Sequence, residues 1–198
     1  MGESTVNLAT LIGSRICHDL ISPIGAINNG LELLEMTGAP GGPEMDLISD
    51  SVGSAGARIQ FFRIAYGIAG AQMLGAPEIN AVLTEVNRGA RVKAEWCCKD
   101  PSPRTAVRLA FLAFQCCETA LPQGGHVNFD YAEGRWTATA TGPALSLDPK
   151  IWETLSNPAA GVEITPALVQ FALLPAAAAE LGSRIEVISD DTQITIQF

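Results

Sequence analysis

The sequence has few basic residues for its length. Twelve lysines and arginines are outnumbered by 21 aspartates and glutamates in 198 residues, which gives a formal net charge of −9. A protein that binds the phosphate backbone of a nucleic acid needs a basic patch. We therefore expect no nucleic-acid partner.

The sequence also has no hydrophobic run long enough to cross a membrane. Its most apolar stretch, 166–182, is interrupted by Pro175 and is shorter than the roughly 20 residues of a membrane span. This stretch is typical of a core helix. The first ten residues, MGESTVNLAT, contain neither a basic region nor a hydrophobic segment followed by a cleavage site. We expect no membrane association and a cytoplasmic location.

The five cysteines show no C-x-x-C spacing, which is common in zinc and redox sites. Cys97 adjoins Cys98, Cys116 adjoins Cys117, and Cys17 stands alone. We interpret all five as reduced, buried packing residues. The chain is predicted to hold neither a metal nor a cofactor of its own.

Two helical patterns occupy the first 74 residues. Residues 5–37 have an apolar seam in alternating steps of four and three, made of Leu20, Ile24, Ile27, Leu31 and Leu34. The segment GAPGGP at 38–43 predicts a break, with Pro43 at the first position of a second helix and Glu44 and Asp46 in its first turn. The second seam is made of Ile48, Val52, Ala55, Ile59, Phe62, Tyr66, Ala69 and Met73.

A single helical hairpin cannot bury two seams of this length, because each helix has only one neighbour. Pairing two hairpins in a four-helix bundle buries both seams. We therefore predict a homodimer, with residues 1–74 as the dimerisation domain.

Residues 75–198 follow a mixed pattern. Helices are predicted near 78–87, 103–121 and 166–181, and a strand at 91–98. Residues 126–141 predict a hairpin turning at Glu133 and Gly134, and the C-terminal residues predict another around Asp190 and Asp191. The fold class is therefore α+β, with a second domain at 75–198 in which helices cover one face of a mostly antiparallel sheet.

One of the two histidines, His18, lies on the polar face of the first helix, away from the seam. Asp19 follows it and can accept a hydrogen bond from one ring nitrogen, which leaves the other as a nucleophile. Pro23 cannot donate a backbone hydrogen bond to the carbonyl of Asp19, so we expect a bend just beyond the histidine. These features favour phosphoryl transfer.

The run HDLISPIGAI at 18–27 resembles the H-box of sensor histidine kinases, in which a histidine is followed by an acid, a leucine and, after two more residues, a proline. The match consists of His18, Asp19, Leu20 and Pro23. Ile21 replaces the usual basic residue, and Ser22 stands where threonine or asparagine is common. A phosphatase activity is linked to that last position in the kinases.

The ATP-binding motifs of those kinases are missing from the second half. The two asparagines expected in the helix before PQGG are Leu112 and Cys116. The Asp-x-Gly-x-Gly motif is replaced by ATGPA at 140–144, and the later glycine loop by EITPALVQFALLP at 163–175. This pattern is typical of a kinase-like scaffold that no longer binds a nucleotide.

An H-box hairpin joined to such a domain resembles the ChpT family of alphaproteobacterial histidine phosphotransferases, over essentially the whole chain. The resemblance implies a dimer that passes phosphate between the receiver domain of a hybrid histidine kinase and response regulators that control the cell cycle. It implies a degenerate GHKL (Bergerat-like) ATPase domain, no ATP binding, and Mg²⁺ supplied by the receiver. His18 would carry the phosphoryl group and Asp19 would orient its ring.

The supporting residues have alternative interpretations. Arg15 either neutralises the incoming phosphate or, more simply, is a solvated surface arginine. Leu11 and Ile21 are predicted to contact a receiver helix, although the second domain could bury either one. Two other functions remain open: an active autokinase with an unusual nucleotide pocket, and a dimeric scaffold in which His18 has no chemical role.

Overall fold

The computed structural model describes residues 2–37, 42–68, 70–158 and 162–198. The first helix, α1, spans Gly2–Thr37, and the second, α2, spans Pro43–Ala65. As predicted, Pro43 begins α2, and Glu44 and Asp46 lie in its first turn. Most of the predicted break at 38–43 lies outside the described residues, as does Ala69.

The second helix is shorter than its seam predicts. It ends at Ala65, and Met73 lies in a two-residue strand, so the prediction of a helix through Met73 is wrong. The chain turns at Gly67, where a Cβ atom would lie 2.2 Å from the carbonyl oxygen of Arg63. The apolar spacing continued past this turn, but the backbone did not remain helical.

Within the hairpin, the two seams alternate between covered and uncovered positions. Leu20, Ile27, Ala55 and Phe62 are buried or half-buried, and the helices approach closely at Gly30, where a Cβ atom would meet Ile48 at 2.5 Å. The intervening seam positions are about half exposed: Ile24, Leu31, Val52 and Ile59. Each helix therefore buries one set of heptad positions and leaves the other set uncovered.

The described residues of the C-terminal half form four helices, a short 3-10 helix and two sheets. The helices are α3 (Ala76–Asn87), α4 (Arg104–Ala120), α5 (Pro149–Ser156) and α6 (Val169–Glu180), and the 3-10 helix is Pro166–Leu168. The strands are β1 (Met73–Leu74), β2 (Val92–Trp96), β3 (Ser102–Pro103), β4 (Gly125–Ala132), β5 (Arg135–Thr141), β6 (Glu186–Ser189) and β7 (Gln193–Gln197).

The main sheet has the order β2-β4-β5-β7-β6, and only the β2–β4 pair is parallel. The hairpin β4–β5 turns at Glu133 and Gly134, whose φ angles of 54° and 80° match the I′ turn that favours tight hairpins. Val127 and Phe129 point into the core, whereas His126 and Asn128 are exposed. The mostly antiparallel sheet, covered on one face, is confirmed.

Helix α5 has no counterpart among the helices predicted from the sequence. Its signals are local: Pro149 lies in the first turn, and the Asp148 side chain accepts a hydrogen bond from the Lys150 amide over 3.0 Å. This is an ordinary N-cap. The helix is amphipathic over only eight residues, which is too short for its apolar period to stand out.

The core extends across both halves of the chain. α4 is buried along almost its whole length, and the end of α2 packs on it through Phe61, whose ring stacks on Phe111 at 4.5 Å and 5°. Phe62 and Ile64 belong to the same buried cluster. This packing fixes one end of the hairpin, and with it α1, against the C-terminal half.

Candidate functional site

His18 lies in the middle of α1 with 85% of its side chain exposed. Ser14 and Ser22, one turn away on either side, are also exposed. The predicted orientation away from the seam is confirmed. The imidazole is therefore open to a macromolecular partner.

Asp19 contacts one nitrogen of the His18 ring. Its Oδ1 atom lies 3.1 Å from Nδ1, and only 12% of its side chain is exposed. A hydrogen bond from Nδ1–H to the carboxylate stabilises the tautomer in which Nδ1 carries the proton. In that tautomer Nε2 carries the free lone pair. Nε2 is then the nitrogen left for an incoming group.

Arg15 contacts the second carboxylate oxygen of Asp19. Its Nε donates to Oδ2 over 2.8 Å, and its Nη1 donates to the carbonyl of Ala167, in the 3-10 helix, over 2.8 Å. Only 18% of the side chain is exposed. The expectation of a solvated surface arginine is wrong, because these two acceptors hold the guanidinium between α1 and the C-terminal half.

Arg15 and Asp19 line a cleft of about 250 Å³ between the hairpin and the C-terminal half. The cleft is also lined by Arg58 of α2, by Arg88 just after α3, and by Glu118 of α4. Burial raises the pKa of the Glu118 carboxyl from 4.5 to about 7, although Arg15 and Arg58 act in the opposite direction. The cleft thus places a carboxyl group that titrates near neutral pH beside the Arg15–Asp19 pair.

Further polar contacts connect the end of α2 with α4 and α6. The Tyr66 hydroxyl, just after α2, donates to Oε1 of the buried Gln115 over 2.9 Å. Burial raises the pKa of Tyr66 to about 12, so the phenol stays protonated at neutral pH. Gln170 of α6 donates through Nε2 to the Gln115 carbonyl over 3.5 Å. α2, α4 and α6 are therefore connected next to the cleft.

Pro23 lies inside α1, which continues through it without interruption. The proline is buried, and together with Ser22 it lines a cleft of about 380 Å³ whose opposite wall includes Ser51 and Arg58. The bend expected at Pro23 stays a prediction. Ser22 itself is exposed on the same face as His18.

The two aliphatic residues predicted to contact a receiver differ in burial. Ile21 is 69% exposed, three residues after the histidine. Leu11 is half-buried and packs against the core. The structure therefore covers Leu11 partly with the core and leaves Ile21 accessible to a partner.

The cysteines also differ from the prediction. Cys116 and Cys117 are fully buried, but Cys17 and Cys97 are exposed, so the interpretation of all five as buried is wrong. Over the described ranges, no group of three or more histidines, cysteines, aspartates and glutamates could hold a metal ion. Nor does any helix in the described part of the chain have the length and apolar character needed to cross a membrane.

Sequence reasoning missed the contributions of the C-terminal half to this site. The Arg15–Asp19 spacing of four residues signals a helical ion pair. The Ala167 carbonyl has no such signal, because it lies 152 residues away from Arg15 and any residue type carries it. Glu118 is the single acid of α4, and a single acid in a largely apolar helix suggests an exposed edge.

A model of the histidine phosphotransferase C-terminal domain matches residues 76–193. With an exposed histidine on the preceding hairpin, the chain is thus a histidine phosphotransferase. It is 36% identical over 191 residues to the protein phosphotransferase ChpT of Brucella abortus, a match that covers 93% of this chain and 91% of that protein. The chain belongs to the ChpT family of histidine phosphotransferases, as its H-box and missing nucleotide motifs predicted.

Two solved structures show the same architecture. A bacterial phosphotransferase has a TM-score of 0.78 and 35% identity, covering 97% of this chain and 95% of its own. The histidine kinase ThkA, solved in complex with the response regulator TrrA, has a TM-score of 0.51 and 11% identity, covering 99% of this chain and 63% of its own. The second likeness shows the shared kinase-like fold alone.

Proposed function

We propose that this phosphotransferase works in a phosphorelay, in which His18 accepts a phosphoryl group from a receiver-domain aspartate and donates it to a second receiver. The observation that carries this proposal is the exposed imidazole whose Nδ1 lies 3.1 Å from Asp19. Family membership supports the reaction class. The kinase ThkA, which shares this fold, was solved with a response regulator, the class of partner we propose here.

The chemistry needs one nucleophilic nitrogen and one orienting acid. The lone pair on Nε2 of His18 attacks the phosphorus of the aspartyl phosphate, and the bond from phosphorus to the carboxylate oxygen breaks with its electron pair on that oxygen. The ring becomes cationic, and the Asp19 carboxylate, which accepts a hydrogen bond from Nδ1–H, balances that charge. Attack by a second receiver carboxylate reverses these steps. Mg²⁺ belongs to the receiver in this scheme.

We propose that the transfer proceeds without ATP bound to this chain. Leu112 and Cys116, at the places of the kinase asparagines, are fully buried in α4 and offer no oxygen ligand for Mg²⁺. Trp152 of α5 packs edge-on against Phe171 of α6 at 5.4 Å, and both side chains are buried. Apolar side chains thus form the contact between these helices.

We also propose that the chain is a homodimer. The uncovered seam positions recur at heptad spacing on both helices, as Ile24 and Leu31 on α1 and Val52 and Ile59 on α2. A second copy of the hairpin offers the same pattern, so a four-helix bundle would cover both sets. The Ile21 side chain would remain outside this bundle for a receiver to contact.

The proposed function is tested by phosphate transfer from receiver domains of the source organism, labelled with radioactive acetyl phosphate. The unmodified protein should acquire acid-labile label, and His18→Gln should acquire none while it still binds the receivers. Label on His18→Gln at the unmodified level would refute the role of His18. Label acquired from ATP alone would favour the autokinase, and receiver binding without transfer would favour the scaffold.

A further inference from the structure

We propose that Arg15 is a positioning residue for the phosphotransfer reaction: it holds Asp19, and through Asp19 the His18 ring, in a geometry set by the Ala167 carbonyl. This inference rests on the proposed function. It assigns Arg15 a task other than neutralising the phosphate. It also gives the C-terminal half of the chain, which has lost the nucleotide motifs, a part in the chemistry.

The three contacts form a continuous chain of hydrogen bonds. They run from the Ala167 carbonyl to Arg15 over 2.8 Å, from Arg15 to Asp19 Oδ2 over 2.8 Å, and from Asp19 Oδ1 to His18 Nδ1 over 3.1 Å. A carboxylate is planar, so fixing the direction of Oδ2 fixes that of Oδ1. The position of the 3-10 helix is therefore transmitted to the ring nitrogen.

The exposure of His18, Asp19 and Arg15 also indicates that the ring is ordered through Asp19. His18 is 85% exposed and has little packing to hold its ring, whereas Asp19 and Arg15 are only 12% and 18% exposed. Order in the ring must therefore come from its hydrogen bond to Asp19. Asp19 in turn is held by an arginine that has a second, fixed acceptor.

Arginine is the residue type that this arrangement needs. Its planar guanidinium presents several donors in a fixed fork and can serve two acceptors at once. A lysine carries the same charge on a flexible stem and lacks this fork. In the structure the two acceptors engage Nε and Nη1 of Arg15, so the guanidinium is held on Asp19.

The test uses phosphoramidate, a small donor that phosphorylates histidine directly, so that no receiver is needed. The variants are Arg15→Ala, Arg15→Lys, Asp19→Asn and the double variant Arg15→Ala with Asp19→Asn, and the control is the exposed Arg184→Ala. Labelling rates are measured together with the ¹⁵N NMR shifts of the His18 ring, which report the tautomer. Thermal unfolding checks that each variant is folded.

We expect Arg15→Ala to label His18 roughly 10- to 100-fold more slowly, the size of effect expected for a lost positioning contact. The ring should lose its preference for the Nδ1–H tautomer. The double variant should be no slower than Asp19→Asn, because Arg15 acts through that residue. Arg15→Lys should label at an intermediate rate, and Arg184→Ala at the unmodified rate.

The inference would be overturned if the fold-reduction in labelling rate of the double variant equalled the product of the two single reductions. That result would mean that Arg15 acts on the phosphoryl group independently of Asp19. An unchanged rate and tautomer in Arg15→Ala would also overturn it. If Arg15→Ala does not fold, Arg15→Lys decides, and an unmodified rate there counts against the proposal. Failure of receiver transfer with normal phosphoramidate labelling would instead refute the proposed function.

Discussion

Glu118 should make this protein less stable as the pH rises towards neutrality. The folded state holds the pKa of this carboxyl near 7, raised from 4.5 by burial, so between these values the folded protein binds more protons than the unfolded chain. The free energy of unfolding therefore falls as the pH rises through this window. Each unit of pKa difference is worth about 1.4 kcal/mol, which sets an upper limit of about 3 kcal/mol for the loss.

Replacing Glu118 by glutamine removes this ionisation and keeps the shape of the side chain. We expect Glu118→Gln to be more stable than the unmodified protein at pH 8, by up to about 3 kcal/mol, and to differ by less than about 1 kcal/mol at pH 5. Urea unfolding at both pH values and at a fixed protein concentration measures the difference. The exposed Glu163→Gln is the matched control and should change neither value.

A parallel loss of stability in Glu118→Gln and in the unmodified protein between pH 5 and pH 8 would refute this reasoning. So would a variant that is less stable at pH 8. The latter result would mean that the attraction of the carboxylate to the nearby charges of Arg15 and Arg58 outweighs the cost of burying its charge.

Three further predictions concern the proposals above. Asp19→Asn should keep the fold but accept phosphate from a receiver about 100-fold more slowly or worse, because ring orientation and charge balance are both lost; transfer at the unmodified rate would contradict its role. Ile59→Glu should give a folded monomer by light scattering at micromolar concentration, since the uncovered seam lies on the surface of the single chain; a monomeric unmodified protein would rule out the dimer. Calorimetry with Mg²⁺ and ATP should detect no binding, and a micromolar affinity would revive the autokinase.

Periodicity predicted the long elements of the fold because each of them buries one regular face. The α1–α2 hairpin, α4 and both sheet hairpins were found in this way. It failed at the end of α2, where a tight turn at Gly67 overrode the apolar spacing, and at α5, which is too short to show a period.

The site was predictable only where neighbours in sequence make the contact. His18 and Asp19 are adjacent, so their hydrogen bond followed from the sequence. The helical wheel placed Arg15 on the exposed face, because a wheel contains only one helix. In the structure Arg15 donates a hydrogen bond to the 3-10 helix, and Leu11 packs against the core.

The stacking of Phe61 on Phe111 has a mechanical consequence. A kinase domain that delivers ATP to its own histidine must swing towards it, but a rotation of the C-terminal half here would have to separate two buried rings that lie parallel at 4.5 Å. Local opening of the end of α2 therefore requires opening of α4 as well, so the two should behave as one cooperative unit. In native-state hydrogen exchange, the amides of both segments should exchange with the same free energy. His18 would then be part of one rigid unit. The movements that bring the reacting groups together would be made by the proteins that dock on it.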